Sequence, residues 1–207
     1  MDYFKNKASE WDTPMKMEMA EKFVKELLKN YTPGKDQKMM DYGCGTGLVG
    51  MQLSKLTRDV VYLDSSESML EILKQKLGAI KDFSKSIIHG EIHSYNQKDI
   101  DLITTLMALH HVEDIESALN HISANILKPS GVMVIGDLKE EDGSFHNGEE
   151  IPHKGFNTEK LTAQLQKAGL KVEKTYIYNT LTKQEKTYEQ FIMIATKNND
   201  EKATKSK

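Results

Sequence analysis

Between about residue 38 and residue 197 the chain alternates short apolar runs with longer amphipathic stretches. Residues 38–42, 60–64, 87–88, 101–106 and 132–136 are dominated by Val, Ile, Leu, Met and Tyr, with little polar alternation. Strands buried on both faces of a parallel sheet need runs of this kind. Between them the apolar positions take helical spacing: Met51, Leu53 and Leu56; Met69, Leu70, Leu73 and Leu77; Ile115, Leu119, Ile122, Ile126 and Leu127. Ser66 and Asp114 stand where N-caps belong, and Lys128-Pro129-Ser130-Gly131 stops the third helix. The pattern predicts an α/β fold with a doubly wound sheet and helices on both faces.

The two ends depart from this rhythm. Residues 1–37 are polar, with Met15, Met19, Phe23, Leu27 and Leu28 at helical spacing and Pro33-Gly34 after them. They predict an amphipathic helix packed on the main body. Past the fifth strand, Asn157 is placed as an N-cap, with Phe156 and Leu161 as a hydrophobic staple and Gly169 as the stop. Two strand-like runs follow, 170–178 and 187–196, close enough in sequence to pair as a hairpin. A mostly parallel sheet would then finish on a reversed last strand. Residues 198–207 have no apolar period and read as a disordered tail. The expected division is an N-terminal helical lid over 1–37, one domain over 38–197 and a tail over 198–207.

Composition narrows the setting. A chain of 207 residues buries a core without staples, and Cys44, the lone cysteine, rules out an intrachain disulfide framework. A net charge of −3 argues against a protein that grips nucleic acid through phosphates. No apolar run approaches the ~20 residues of a membrane helix, and residues 1–5 lack the apolar core of a signal peptide. A cytoplasmic protein with a small-molecule substrate, no nucleic-acid or membrane partner, and a monomeric or homodimeric state is expected.

The candidate chemistry begins where the first strand runs into Gly43-Cys44-Gly45-Thr46-Gly47. Glycines there permit a tight turn and let a ligand lie against the backbone. Asp64 ends the second strand about twenty residues on, where a carboxylate accepts hydrogen bonds from a ribose diol. Two cofactors suit these features. Residues 45–50 match the dinucleotide pattern G-x-G-x-x-G letter for letter, which keeps a nicotinamide oxidoreductase open. Asp41, two residues before the first glycine, weighs the other way. A fixed carboxylate repels a pyrophosphate and attracts a ligand carrying an ammonium and a sulfonium, as S-adenosylmethionine does.

Residues 40–47, Met-Asp-Tyr-Gly-Cys-Gly-Thr-Gly, resemble motif I of the class I S-adenosylmethionine-dependent methyltransferases. Residues 61–70 resemble their ribose-binding motif, residues 101–112 their fourth-strand motif, and residues 127–133 the turn into their fifth strand. The nearest likeness is to the small-molecule group that includes the ubiquinone and menaquinone biosynthesis enzymes. The resemblance implies a Rossmann-like, seven-stranded sheet with a reversed last strand, in agreement with the hairpin. It further implies that Asp41, Gly43 and Gly45 line the methionine part, with Cys44 and Gly47 in the same loop. Asp64 would meet the ribose, Ser65 and Met69 the adenosine surroundings, and Glu91 and Ile92 the adenine end. Leu106 and Met107 would flank the sulfonium.

Methyl transfer from a sulfonium needs alignment more than it needs a catalytic side chain, but an oxygen or nitrogen acceptor still has a proton to lose. His111, after the fourth strand, and His146 and His153, after the fifth, are the candidate bases. The acidic, glycine-bearing segment 137–153 is long enough to be a gating loop. Asp137, Glu140, Asp142 and His146 lack a fixed ligand spacing, so no metal is expected. Tyr3, Phe4 and Trp11 are lid candidates. The alternatives are a methyltransferase acting on protein or RNA, a nicotinamide oxidoreductase, and a module that holds the cofactor without transferring methyl. Against the first, no N-P-P-Y-type motif follows the fourth strand and no basic, aromatic-laced patch is present.

Overall fold

The computed structural model describes residues 5, 7–57, 59–78 and 84–199. Apart from Asn198 and Asn199, the expected tail lies outside the described residues, as do the lid candidates Tyr3 and Phe4. Five parallel strands form in chain order: β1 (Lys38–Tyr42), β2 (Asp59–Asp64), β3 (Ser84–His89), β4 (Ile100–Leu106) and β5 (Leu127–Leu138). With β6 (Leu170–Lys183) and β7 (Lys186–Lys197) they build one seven-stranded sheet in the order β3-β2-β1-β4-β5-β7-β6. β7 runs antiparallel to both of its neighbours, β5 and β6. It is the reversed last strand that the sequence predicts. The strand order turns back on itself between β1 and β4. The loops leaving those strands therefore part and open a crevice at their carboxyl ends.

Successive strand residues point to opposite faces, which explains the unbroken apolar runs. Met39, Val60, Tyr62, Leu102 and Val134 face one core with Phe23, Leu27 and Leu73. Met40, Val61, Leu63, Ile103 and Met133 face the other with Ile115, Leu119, Leu161 and Leu165. The helices are α1 (Pro14–Asn30), α2 (Gly50–Leu53), α3 (Glu67–Gly78), α4 (Ile115–His121) and α5 (Thr158–Lys167). Caps fall where expected: Ser66 Oγ accepts from Met69 N at 3.2 Å, Asp114 from Ser117 N at 2.8 Å, and Asn157 from Glu159 N and Lys160 N at 3.1 Å each. Phe156 and Leu161 are buried in one core, as a staple requires. α1 starts on Thr13 and Pro14 and buries Ala20, Phe23, Val24 and Leu27. Its close approach depends on Gly136 in β5, where a Cβ would stand 2.6 Å from the Phe23 ring.

Two local expectations needed correction. The helix after β1 does not reach Leu56; α2 has four residues. Ser54 Oγ donates to Met51 O, and Leu56 N–H reaches Leu53 O, so a turn replaces the helical ladder. The closing hairpin is longer than the two apolar runs. β6 and β7 continue to Lys183 and Lys186, joined by Gln184 and Glu185 at φ 49° and 62°. Two left-handed residues make the tight turn that twisted hairpins favour, here without glycine or asparagine to announce it. Among the described residues no helix is long and apolar enough to cross a membrane.

Candidate active site

β1 ends at Tyr42, and the chain turns at once through Gly43 and Gly45, both left-handed at φ 68° and 52°. Gly43 and Cys44 donate their N–H groups to Leu63 O, which ties the loop to the end of β2. A Cβ on Gly43 would lie 2.3 Å from the Ala108 Cβ, so the loops after β1 and β4 touch where only glycine fits. Asp64 sits at the tip of β2. One of its carboxylate oxygens accepts from Gly45 N at 2.7 Å and the other from Ser66 N at 2.8 Å. A carboxylate oxygen can accept more than one hydrogen bond.

Asp41 is almost fully buried beneath this loop. Its carboxylate accepts from Gly50 N at 2.8 Å and from Thr104 Oγ1 at 3.4 Å. Burial pushes its carboxyl up to about 7, opposed by the hydrogen bonds from Gly50 and Thr104. Burial, with Asp41 and Asp64 nearby, also keeps the Cys44 thiol well above its ordinary range, so it is a packed thiol rather than a thiolate.

A cavity of about 420 Å³ stands over the loop. Of the residues anticipated for a cofactor, Asp41, Gly43, Cys44, Gly45, Asp64, Ser65, Met69, Glu91, Leu106 and Met107 line it. Gly47 and Ile92 do not: Gly47 turns under the loop against Leu73, and Ile92 is buried in the core. Met107 carries φ 53°, a left-handed backbone on a non-glycine residue at the pocket wall.

The roof comes from both ends of the chain. Trp11, Met15, Lys16 and Met19 cover the cavity from the N-terminal side, and Phe145, His146 and Glu149 cover it from the loop after β5. Asp12 pairs with Lys76, and Lys76 donates to Thr46 O at 2.9 Å, which pins the N-terminal segment onto the glycine loop. Lys16 stands 3.1 Å over the Trp11 ring. Burial and the neighbouring Lys7 hold its ammonium down to about 8. Lys7 and Glu149 form an ion pair at 2.8 Å that joins the two halves of the roof.

The histidines divide. His111 and His146 line the cavity, together with His110, which the sequence places beside His111 without marking it out. His153 lies elsewhere: its Nε2 meets Val112 O at 2.8 Å and its ring packs on Phe156. It fastens the loop after β5 to the loop after β4. His110 is fully buried, with Nδ1 2.7 Å from Asp137 Oδ1 and Nε2 3.1 Å from His146 Nε2. Burial first, and His110 beside them second, hold His111 and His146 down to about 4. Asp142 pairs with Lys186 instead of joining Asp137 and His146. The Asp137–His110 pair escapes a sequence reading because the partners lie 27 residues apart and meet only across the β4–β5 register.

The fold with its glycine-loop pocket defines the class, a Rossmann-like methyltransferase fold. A structure from Aquifex aeolicus described as a SAM-dependent methyltransferase superposes with a TM-score of 0.69 at 19% identity, covering 93% of this chain and 97% of that one. A Haloferax volcanii structure, a complex of the Trm112 methyltransferase activator with a methyltransferase, reaches 0.79 at 14% identity, covering 96% and 99%. The methyltransferase-domain family model matches residues 40–133. A Staphylococcus aureus demethylmenaquinone methyltransferase is 31% identical over 115 residues, 53% of this chain and 46% of that protein. The chain is thus similar in sequence over residues 40–133, and in fold over nearly its whole length, to S-adenosylmethionine-dependent methyltransferases. It spans about half the length, or less, of the first curated relatives it matches.

Proposed function

We propose that this chain transfers a methyl group from S-adenosylmethionine to an oxygen, nitrogen or carbon atom of a small-molecule acceptor. The observation that carries this is the charge pattern of the cavity. Its loop side presents the carboxylates Asp41, Asp64 and Glu91, and its roof mixes the apolar Trp11, Met15, Met19 and Phe145 with Lys7, Lys16, His146 and Glu149. A sulfonium and an ammonium suit such a floor; a pyrophosphate does not. The Gly50 N–H, the kind of group a pyrophosphate site leaves free, is already taken by Asp41.

On this reading Asp64 holds the ribose hydroxyls, Ser65, Met69 and Glu91 surround the adenosine, and Asp41, Gly43 and Gly45 hold the methionine end. Leu106 and Met107 flank the reacting centre. The donor supplies an already activated methyl group. The protein's part is to align the acceptor and exclude water, and alignment alone contributes ~7–11 kcal/mol. The roof built by the N-terminal segment and residues 144–149, fastened by Lys7 and Glu149, supports an enclosed small acceptor over a polymer. We assign residues 1–37 to that lid and residues 38–197 to the catalytic body.

Calorimetry with S-adenosylhomocysteine and with NADH tests the donor. Tight binding of the former alone is expected, and NADH binding in its place overturns the assignment. A panel of small acceptors, read by release of S-adenosylhomocysteine, then tests the acceptor class. Turnover confined to protein or RNA substrates would reject a small acceptor.

A further inference from the structure

Three imidazoles converge on one wall of the cavity. The ligand nitrogens of His110, His111 and His146 all lie within 4.8 Å of one another. The ring centroids of His110 stand 4.3 Å from His111 and 4.8 Å from His146. The two Nε2 atoms of His110 and His146 are 3.1 Å apart. Two imidazoles on a tetrahedral zinc ion, each at ~2.0–2.1 Å, hold their nitrogens about 3.3 Å apart, so this pair already has the spacing a metal imposes.

The surroundings supply what such a site requires. Asp137, fully buried, engages His110 Nδ1 at 2.7 Å. A carboxylate on Nδ1 fixes the tautomer whose Nε2 lone pair is free to ligate, and it also raises that nitrogen's basicity. His146 Nδ1 is buried without a hydrogen-bond partner among the described residues. Ligation through Nε2 leaves that second nitrogen to find its partner in the cavity that His146 lines. The three rings come from two loops held together by backbone bonds, among them His153 N to His110 O at 3.1 Å. The cluster is therefore assembled by the fold rather than by chance rotamers on one surface. All three histidines line the same cavity, so a ligand in it reaches the fourth position of a tetrahedral ion.

We propose that His110, His111 and His146 bind a divalent cation of the zinc type, oriented by Asp137, with an open coordination position facing the cavity. This goes beyond the expectation of no metal, which rested on the irregular spacing of Asp137, Glu140, Asp142 and His146. The ion's use rests on the methyl-transfer assignment above; the binding site does not. An acceptor hydroxyl or thiol bound at the open position loses its proton to solvent more readily. Its lone pair then forms the bond to the methyl carbon as the carbon–sulfur bond breaks, and that electron pair goes to sulfur. The products are the methylated acceptor, neutral S-adenosylhomocysteine and one proton.

The test uses the full chain without a histidine tag, stripped with a chelator. Zn²⁺ alone is titrated by calorimetry, and Co²⁺ reports geometry by its visible absorption. One equivalent is expected to saturate, with the intense bands of a tetrahedral ion. His111→Ala and His146→Ala should each weaken Zn²⁺ at least about tenfold, and Asp137→Asn by about 10–100-fold. No saturable binding, or binding that all three variants leave unchanged, overturns the site and leaves a histidine hydrogen-bond relay in its place. S-Adenosylhomocysteine is titrated in parallel. If it binds while Zn²⁺ does not, the metal site fails and methyl transfer stands. If Zn²⁺ binds through these histidines and the homocysteine ligand does not, methyl transfer fails and the metal site stands.

Discussion

Gly45 donates its backbone N–H to Asp64 at 2.7 Å, so the glycine loop and the acidic end of β2 are one hydrogen-bonded unit. The residue proposed to hold the ribose is also the residue that sets the loop's shape. Asp64→Asn keeps one acceptor oxygen and removes the charge. A charge-assisted hydrogen bond contributes about 1.5–3 kcal/mol, so affinity for S-adenosylhomocysteine is expected to fall by about 10–100-fold in calorimetry. An unchanged affinity would remove Asp64 from the cofactor site.

The crowding at Gly43 makes a second prediction, about folding. Gly43→Ala puts a Cβ 2.3 Å from Ala108 Cβ on a backbone at φ 68°. Overpacking of this kind costs about 1–3 kcal/mol, and the left-handed backbone adds about 1–2. Adding Ala108→Gly should return the packing part and leave the backbone part. Denaturant unfolding of the single and double variants measures both, and equal stabilities would refute the contact.

Asp41 gives a pH dependence. Burial holds its carboxyl up at about 7 in the folded protein, against an ordinary 3.8 in the unfolded chain. The folded state therefore holds the proton more tightly. The sign follows: this group favours the folded state below about pH 4, and that contribution is lost as pH rises through 7. Asp41→Asn keeps an oxygen for Gly50 N and removes the titration. The ligand-free variant should show a flatter stability curve between pH 4 and pH 7. In the parent, a cationic donor should bind more tightly at pH 8 than at pH 6, as the carboxylate forms. Parallel stability curves for the two proteins would count against this.

The ion pair between Lys7 and Glu149 tests the roof. Both side chains are well exposed, and such pairs contribute about 0.2–1 kcal/mol. Lys7→Glu should therefore speed S-adenosylhomocysteine release by about two- to fivefold at low salt. Adding Glu149→Lys should bring the rate back. Stopped-flow release rates that ignore both changes would mean the roof is fastened elsewhere.

His153 is expected to be structural. His153→Ala should lower stability by about 1 kcal/mol through loss of its bond to Val112 O, and leave homocysteine-cofactor affinity alone. A loss of affinity without a loss of stability would return it to the site.

The framework was legible because sheet burial leaves a one-dimensional trace. Met39 and Met40 are both apolar since each meets a different helical layer. The caps at Ser66, Asp114 and Asn157 were legible because they act within three residues. What depends on distant partners was not. His110 is indistinguishable from His111 in sequence until Asp137 comes alongside it. His153 looked catalytic by its neighbourhood in sequence, but its contacts turn it to Val112 and Phe156. Ile92 fell beside the expected adenine contact, but it is buried in the core behind Glu91.

The place of β7 bears on how the sheet is made. β7 is the later-made arm of the hairpin, yet it alone pairs with β5; β6 lies outside it. While the chain is synthesised, β5 can dock on β4 as soon as Ile135 emerges, but its other edge has no partner until residues 186–197 follow. Throughout that interval Val132 to Ile135 offer an unpaired apolar edge. The nascent protein carries the glycine loop, its acidic strand end and an open sheet edge all at once, and the hazard ends only when β7 slides between two strands that precede it.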